Sequence, residues 1–256
     1  MPLCLRVSYS SSPSAFANDK TLSELRISMP KRKIIVSDIH GCAYTFRVLI
    51  NQKVKLTQED HLYLLGDYVD RGPDSKGVFD FIFELLRNGY NVSCLRGNHE
   101  DMMLRAYEGD ATYTNVWRRN GGDKTMESFG LLYDMTKIPE DYMLFIKALD
   151  YYFEMDDCVL VHAGLNFKEE NPYMDLYSLM WLRNWYKNLN KEWLGNRIIV
   201  HGHTPKPKKD IKNSLYQLGD LPVMNIDAGC YVYGDLCAFD LTNGKLYFQE
   251  NLDMED

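Results

Sequence analysis

Five apolar stretches of the sequence each end in side chains of the types that bind metal ions. Asp67 and Asp70 follow the stretch that ends in Leu65, and Arg71 comes directly after them. The other four stretches lead into Asp38-Ile39-His40, Gly97-Asn98-His99, His162-Ala163-Gly164 and His201-Gly202-His203. All histidines except His61 fall in these segments. Because ligands bind beyond the carboxyl ends of parallel strands, we expect these side chains to form one site.

The mixture of Asp, His and Asn side chains supplies both oxygen and nitrogen ligands. Such a set suits Mn, Fe or Zn better than Ca or Mg alone. Asp67 is the natural bridge between two cations about 3.5–4 Å apart, the spacing of two-metal phosphoryl hydrolases. Such a pair would bind a phosphate ester, lower the pKa of a bridging water and stabilise the developing charge.

Hydrolysis of a phosphate ester also needs a proton for the leaving oxygen and cations for the phosphate. His99 adjoins the ligand candidate Asn98, and an extended backbone there would turn the two side chains in different directions. We expect Asp70 to orient the His99 imidazole and to raise its pKa. Arginines bind phosphate oxygens through paired N–H groups, and the candidates are Arg71, Arg96 and Arg183.

The elements that position these residues follow from hydrophobic periodicity. Strands are predicted at residues 33–37, 61–65 and 91–95, with helices at 44–52 and 75–88 between them and a short helix at 100–107. This order predicts a parallel sheet with right-handed crossovers. Residues 111–148 form a predicted helical cap, loop-like at 115–123 and helical at 139–149.

The second half of the chain is predicted to contain more strands. They are placed at residues 151–154, 158–161, 197–200, 223–226, 235–241 and 245–249, with a helix at 175–188 and a loop at 204–220. Asn243-Gly244 predicts a hairpin between the last two strands. Early crossovers followed by late hairpins predict two stacked sheets with helices outside.

The composition of the chain indicates its class and the partners that it disfavours. The 256 residues are 45% hydrophobic and 25% charged, as is ordinary for a globular protein, and the net charge of −7 argues against a nucleic-acid partner. No apolar run is long enough to span a membrane. Six cysteines without a paired spacing, and no secretory signal, predict a cytoplasmic protein.

Residues 1–28 are predicted to be a disordered extension, and residues 29–256 one domain.

The ordered set of motifs resembles the calcineurin-like metallophosphoesterases. The residues that carry the resemblance are Asp38-x-His40-Gly41, Gly66-Asp67-x-x-Asp70-Arg71-Gly72, Gly97-Asn98-His99-Glu100, His162-Ala163-Gly164 and Gly202-His203-Thr204. Their spacing is similar to the phosphoprotein phosphatase branch, particularly bacterial and phage serine/threonine protein phosphatases. The resemblance implies an α+β fold: a two-sheet β-sandwich flanked by α-helices, with a small helical cap.

The resemblance also implies roles for individual residues. One divalent metal ion would be held by Asp38, His40 and Asp67, and a second by Asp67, Asn98, His162 and His203. Mn²⁺ is the first expectation for both, with Fe or Zn as alternatives. The implied proton donor pair is His99 with Asp70, and the implied phosphate ligands are Arg71 and Arg183. His201 and Asp227 are expected to be structural.

Three functions are compatible with these motifs. A serine/threonine protein phosphatase acting on a phosphoprotein or phosphopeptide is the first interpretation. A dinucleoside tetraphosphate hydrolase is the alternative within the enzymes, because it shares nearly all of the motifs. A catalytically inactive phosphopeptide-binding module is the alternative outside the enzymes, and the intact ligand set and the presence of His99 argue against it.

Overall fold

A computed structural model describes residues 31–132 and 134–253 of the chain. The predicted extension at residues 1–28 lies outside the described residues. No helix within the described ranges is both long enough and apolar enough to cross a membrane.

Two mixed β-sheets form the centre of the protein. The first has the strand order β3-β2-β1-β8-β9, and the second the order β4-β5-β6-β7. The strands are β1 Lys33–Val36, β2 His61–Leu64, β3 Asn91–Cys94, β4 Tyr152–Glu154, β5 Cys158–Val161, β6 Ile198–His201, β7 Val223–Asn225, β8 Asp235–Asp240 and β9 Lys245–Glu250. Strands β1, β2 and β3 are parallel, as are β5, β6 and β7, while β8 and β9 form an antiparallel hairpin. The prediction of two sheets is confirmed.

Helices flank the sheets. They are α1 Ala43–Val48, α2 Ser75–Arg87, α3 Asn98–Tyr107, α4 Ala111–Trp117, α5 Asp123–Ser128, α6 Glu140–Lys147, α7 Leu176–Trp181, α8 Lys191–Leu194 and α9 Lys208–Tyr216. Two π-helical segments, Leu49–Val54 and Arg118–Gly122, continue α1 and α4. This arrangement agrees with the predicted sandwich flanked by helices.

Alternation along the strands assigns side chains to opposite faces of each sheet. In β1, Ile35 joins a core cluster with Leu160 of β5 and Val200 of β6, so this cluster lies between the two sheets. Ile34 and Val36 point the other way and pack with residues of α1, α2 and α3. In the second sheet, Val159 and Val161 pack on the outer face with Trp185. Each sheet is therefore covered on both faces, which leaves its strand ends to carry the polar motifs.

Several predicted elements were wrong. Residues 115–123 are helical apart from a kink at Gly121, rather than loop-like, because Asp110 caps α4 through the backbone N–H groups of Thr112 and Tyr113, and Trp117 is buried. Residues 204–220 contain α9, which begins after Pro207 and buries Ile211. The helix predicted at 175–188 ends at Trp181, and a 3-10 turn forms separately at Tyr186–Asn188.

Candidate functional site

The carboxyl ends of β1, β2, β3, β5 and β6 meet at one edge of the sandwich and bring the motif side chains together. The backbone there is unusual. Seven non-glycine residues of the described chain have positive φ, and the five within the motifs are His40, Asp67, Asp70, Arg71 and His203. Non-glycine residues adopt this conformation at a cost of about 1–3 kcal/mol each, and such residues cluster at functional sites.

Asp67 lies at the centre of the site. Its Oδ2 is 3.6 Å from His40 Nε2 and 3.5 Å from His162 Nε2. It belongs to both compact groups of metal-ligand side chains among the described residues, His40 with Asp67 and His99, and Asp67 with His162 and His203. This position between the two groups is the one that a bridging carboxylate requires.

Backbone carbonyls orient two of the imidazoles. His40 Nδ1 lies 2.9 Å from the carbonyl oxygen of Val69, and His162 Nδ1 lies 2.9 Å from that of Leu65. A carbonyl oxygen only accepts, so each Nδ1 must carry the proton. Each Nε2 then presents a lone pair to the centre of the site. Hydrogen bonds of this kind fix the tautomer of metal-binding histidines.

Asn98 lies against the group of Asp67, His162 and His203, and two acceptor atoms face each other there. His162 Nε2 is 3.0 Å from Asn98 Oδ1 and 3.2 Å from His203 Nδ1, and Asn98 Oδ1 is 2.9 Å from His203 Nδ1. A lone pair on His162 and an amide oxygen cannot form a hydrogen bond with each other. A cation bound between these atoms would relieve the conflict.

The charges of the buried groups also fit a metal ion. Burial lowers the pKa of His40, His162 and His203, so these imidazoles are held in the neutral form that binds metals. Burial, and then the charge of Asp38, raise the pKa of Asp67 and of Asp227 well above the usual range. Buried carboxylates among neutral imidazoles favour a bound cation, and the oxygen and nitrogen donors suit a divalent transition metal.

Asp38 is placed differently from the other expected ligands. It is buried, but it is not a member of either compact group. Its carboxylate accepts the backbone N–H of His203 at 3.0 and 3.1 Å and a hydrogen bond from the Ser37 hydroxyl. A Cβ on Gly202 would lie 2.1 Å from the Asp38 carboxylate, so only glycine fits this approach. In this structure Asp38 positions His203, and its role as a ligand stays a prediction.

His99 and Asp70 form a buried pair. His99 Nδ1 lies 2.6 Å from Asp70 Oδ2, and both side chains are almost fully inaccessible. Burial, together with the charge of Arg71, lowers the pKa of His99, and burial raises the pKa of Asp70. The net shift in the pKa of His99 therefore runs opposite to the predicted rise, because burial and the charge of Arg71 both lower it. Asp70 orients the imidazole through Nδ1, and Nε2, which faces Arg71, is the nitrogen from which a protonated His99 would release a proton.

Thr125 holds Asp70 of this pair through two hydrogen bonds. The Thr125 hydroxyl donates to Asp70 Oδ1 at 2.7 Å, and the backbone N–H of Asp70 donates to the Thr125 oxygen at 2.9 Å. Thr125 is fully buried and belongs to α5, 55 residues away in the chain. Sequence reasoning missed it, because nothing in its local pattern distinguishes it from other residues of the cap.

The three arginine candidates have different surroundings. Arg71 donates to His40 Nε2 at 2.9 Å and to His99 Nε2 at 3.0 Å, so it lies within the site. Arg183 is exposed beside Thr204, and its charge contributes to the lowered pKa of His162 and His203. Arg96 donates to the carbonyl oxygens of Ile146 and Lys147 and to the Tyr151 hydroxyl, so its role is structural.

Glu100 fixes the loop that carries Asp67. Its carboxylate accepts the backbone N–H groups of Asp67 at 2.8 Å, Tyr68 at 2.7 Å, Val69 at 3.3 Å and Gly97 at 2.9 Å. Glu100 lies in the first turn of α3, which begins at Asn98 rather than after an extended segment. Consecutive helical residues project about 100° apart, so Asn98 and His99 still point in different directions.

Comparisons with known proteins agree with the motifs. Residues 31–239 match the family described as Calcineurin-like phosphoesterase. The bis(5'-nucleosyl)-tetraphosphatase PrpE [asymmetrical] of Anoxybacillus flavithermus is 28% identical over 80% of this chain and 88% of its own length. Serine/threonine-protein phosphatase 1 of Salmonella typhimurium is 28% identical over 79% of this chain and 88% of its own length. A solved protein serine/threonine phosphatase from Saccharomyces cerevisiae has a similar fold, with a TM-score of 0.58 at 15% identity, covering 89% of this chain and 82% of the solved one.

Replacing the Glu100 carboxylate should loosen the Asp67 loop. Glu100→Gln keeps the shape but turns an NH₂ group toward backbone donors. We expect the free energy of unfolding to fall by about 2 kcal/mol or more, since each unsatisfied buried donor costs about 1–3 kcal/mol. Denaturant unfolding in chelator measures this effect without metal. The control is Glu108→Gln, at the end of the same helix, where Glu108 makes an exposed ion pair with Lys147. Equal stability of both variants would show that Glu100 does not anchor the loop.

His201, the last residue of β6, and His203, two residues beyond it, should have different roles. His201 Nε2 lies 2.5 Å from the Tyr186 hydroxyl and its Nδ1 2.9 Å from the Gly202 carbonyl oxygen, whereas His203 faces Asn98 and His162. We expect His203→Ala to lose bound metal and to reduce turnover by about 100-fold or more. His201→Ala should mainly lower stability. Metal content after dialysis distinguishes the two. Loss of metal from His201→Ala alone would reverse the assignment.

Proposed function

The chain belongs to the calcineurin-like phosphoesterase family, and on that premise we propose that it is a metal-dependent phosphomonoesterase acting on phosphoserine and phosphothreonine in proteins. Two divalent metal ions, with Mn²⁺ as the first candidate, would be held by Asp38, His40 and Asp67 and by Asp67, Asn98, His162 and His203. When bound, such ions supply an activated water and stabilise the charge of the transferring phosphoryl group.

The observation that carries this proposal is the buried pair of His99 and Asp70. The oxygen that leaves from phosphoserine is an alkoxide, a strong base that needs a proton as the P–O bond breaks. A nucleotide leaving from a phosphoanhydride is a much weaker base and needs little help. A general acid contributes about 10²–10⁴-fold to a rate. A pair with an Nδ1 to Oδ2 distance of 2.6 Å, held further by Thr125, supports an alkyl phosphoester as the substrate.

The remaining residues of the site bind and orient the substrate. Arg71 reaches His99 Nε2, and a phosphate bound there would draw its guanidinium away from the two imidazoles. Arg183 donates to the hydroxyl of Thr204, which directly follows His203, and would contact the same phosphoryl group. Guanidinium groups match phosphate oxygens in charge and geometry. With the guanidinium displaced, a proton carried on His99 Nε2 would face the leaving oxygen, and Asp70, at Nδ1, would stabilise the imidazolium that carries it.

Hydrolysis of dinucleoside tetraphosphates is the second candidate function. The observation that favours it is the similarity to the bis(5'-nucleosyl)-tetraphosphatase PrpE of Anoxybacillus flavithermus, at the same 28% identity as to the Salmonella phosphatase. A binding module without activity receives no support from the site, since the ligand set and the acid pair are both present.

A direct comparison of substrates tests the proposal. The purified protein is assayed with Mn²⁺ on phosphoserine peptides, diadenosine tetraphosphate and p-nitrophenyl phosphate. We expect phosphate release from the peptides and from p-nitrophenyl phosphate, its loss in chelator and its return with Mn²⁺. Hydrolysis of diadenosine tetraphosphate without release of phosphate from any peptide would favour the second candidate. Binding of phosphopeptides without turnover of any substrate would favour the module.

The acid role of His99 predicts a dependence on the leaving group. His99→Asn should slow phosphoserine hydrolysis by about 10²–10⁴-fold and p-nitrophenyl phosphate hydrolysis much less, because p-nitrophenolate is a weak base. His61→Asn is a matched control, since His61 lies at the start of β2 and contacts Ser93 and Tyr63. An equal loss on both substrates would mean that His99 does not protonate the leaving oxygen.

A further inference from the structure

A pocket of about 230 Å³ opens beside Arg183. Three cations line it, Arg183, Lys187 and Lys206, and no acidic side chain lies among its described lining residues. We call it the Arg183 pocket and define it by these three cations together with Asn184, Tyr186 and Thr204. In a chain with a net charge of −7, such a grouping produces a local positive potential.

The charges of these three cations are unpaired among the described residues. Within residues 31–132 and 134–253, ion pairs engage cations such as Arg32, Lys76 and Arg197, but none involves Arg183, Lys187 or Lys206. All three side chains are exposed. Their charges are therefore available to a ligand.

The walls of the pocket are fixed by hydrogen bonds. Lys206 stands between Pro205 and Pro207, which restrict the backbone, and its N–H donates to the Asp227 carbonyl oxygen at 2.8 Å. The Asn225 amide donates to the carbonyl oxygen of Thr204 at 2.7 Å. A backbone held in this way places the base of the Lys206 side chain without further ordering on binding.

The pocket adjoins the metal-ligand groups. Arg183 donates to the Thr204 hydroxyl at 3.4 Å, and Thr204 directly follows His203. The charge of Arg183 also contributes to the lowered pKa of His162 and of His203. A phosphoryl group bound between Arg71 and Arg183 would therefore leave Lys187 and Lys206 facing whatever lies next to it in the substrate.

We infer that the Arg183 pocket binds a second anionic group of the substrate, next to the phosphoryl group that is hydrolysed. This inference rests on the proposed function. The substrate class is then a phosphopeptide with an acidic residue, or a second phosphorylated residue, beside the reacting phosphoserine or phosphothreonine. Lys187 and Lys206 are the residues that determine this preference.

A second groove, lined in part by Arg71, is the competing location. It is lined by Arg71, Arg119 and Lys124 among others, but Lys124 forms an ion pair with Glu127 at 2.7 Å. A charge that is already paired attracts a ligand less. The test therefore includes Arg119→Ala, which reports on that groove.

The experiment compares two phosphoserine peptides that differ only in flanking residues, acidic in one and alanine in the other. Each is assayed as a substrate by kcat/KM and as a competitor of p-nitrophenyl phosphate hydrolysis. We expect wild type to prefer the acidic peptide by roughly 5-fold or more, with less preference at high salt. Lys187→Ala with Lys206→Ala should remove the preference, and Lys206→Glu should reverse it. Lys209→Ala, in α9 outside the pocket lining, should retain it.

The outcomes separate this inference from the proposed function. Equal hydrolysis of both peptides, or a preference lost only in Arg119→Ala, overturns the inference and leaves the phosphatase proposal standing. If neither peptide is hydrolysed but the acidic one competes better in a lysine-dependent way, the proposed function fails and the pocket stands as an anion site. Lysine-dependent competition by diadenosine tetraphosphate, without any difference between the peptides, assigns the pocket to a polyphosphate chain and overturns the peptide inference.

Discussion

The geometry of the site depends on one buried carboxylate and the four backbone N–H groups that it accepts. Glu100 joins the loop after β2, at Asp67, Tyr68 and Val69, to the start of α3 at Gly97. The loop needs such an anchor, because Asp67, Asp70 and Arg71 all have positive φ, at a cost of about 1–3 kcal/mol each. Because α3 also carries Asn98 and His99, the same carboxylate sets the distance between both ligand groups and the acid pair.

A second constraint is the charge that this arrangement leaves buried. Asp67 and Asp227 lie near Asp38 with raised pKa values, surrounded by imidazoles whose pKa values are lowered. Burying carboxylates among neutral rings is unfavourable unless a cation compensates them. Stability and metal binding are therefore linked, since ions that bind the folded chain also offset the cost of burying these carboxylates. The buried carboxylates and imidazoles that would bind the metal ions are therefore the residues that lower the stability of the metal-free protein.

The sequence predicted the polar residues at the strand ends well, and the long-range contacts of the cap at residues 111–148 poorly. Strands such as β1 and β5 can be recognised from local apolar runs. Within each sheet the parallel strands end at the same edge, so the residues that follow them lie close together. The hairpin at Asn243-Gly244 is equally local. Thr125, by contrast, matters only because the fold brings α5 against Asp70, 55 residues away. Arg96 stayed among the phosphate candidates for the same reason, since its carbonyl partners belong to α6.

The motifs describe a centre that handles a phosphoryl group, and they say little about what is attached to it. Metal ions and the Arg71 guanidinium act on atoms that an alkyl phosphoester and a phosphoanhydride share. Discrimination between the two must come from the basicity of the leaving group, which concerns His99 and Asp70, and from side chains that contact the substrate beyond its reacting phosphate. Lys187 and Lys206 are of the second kind, and they lie outside every motif. Relatives with the same catalytic centre can therefore act on different substrates, because the residues that determine substrate specificity lie around the centre and outside its motifs.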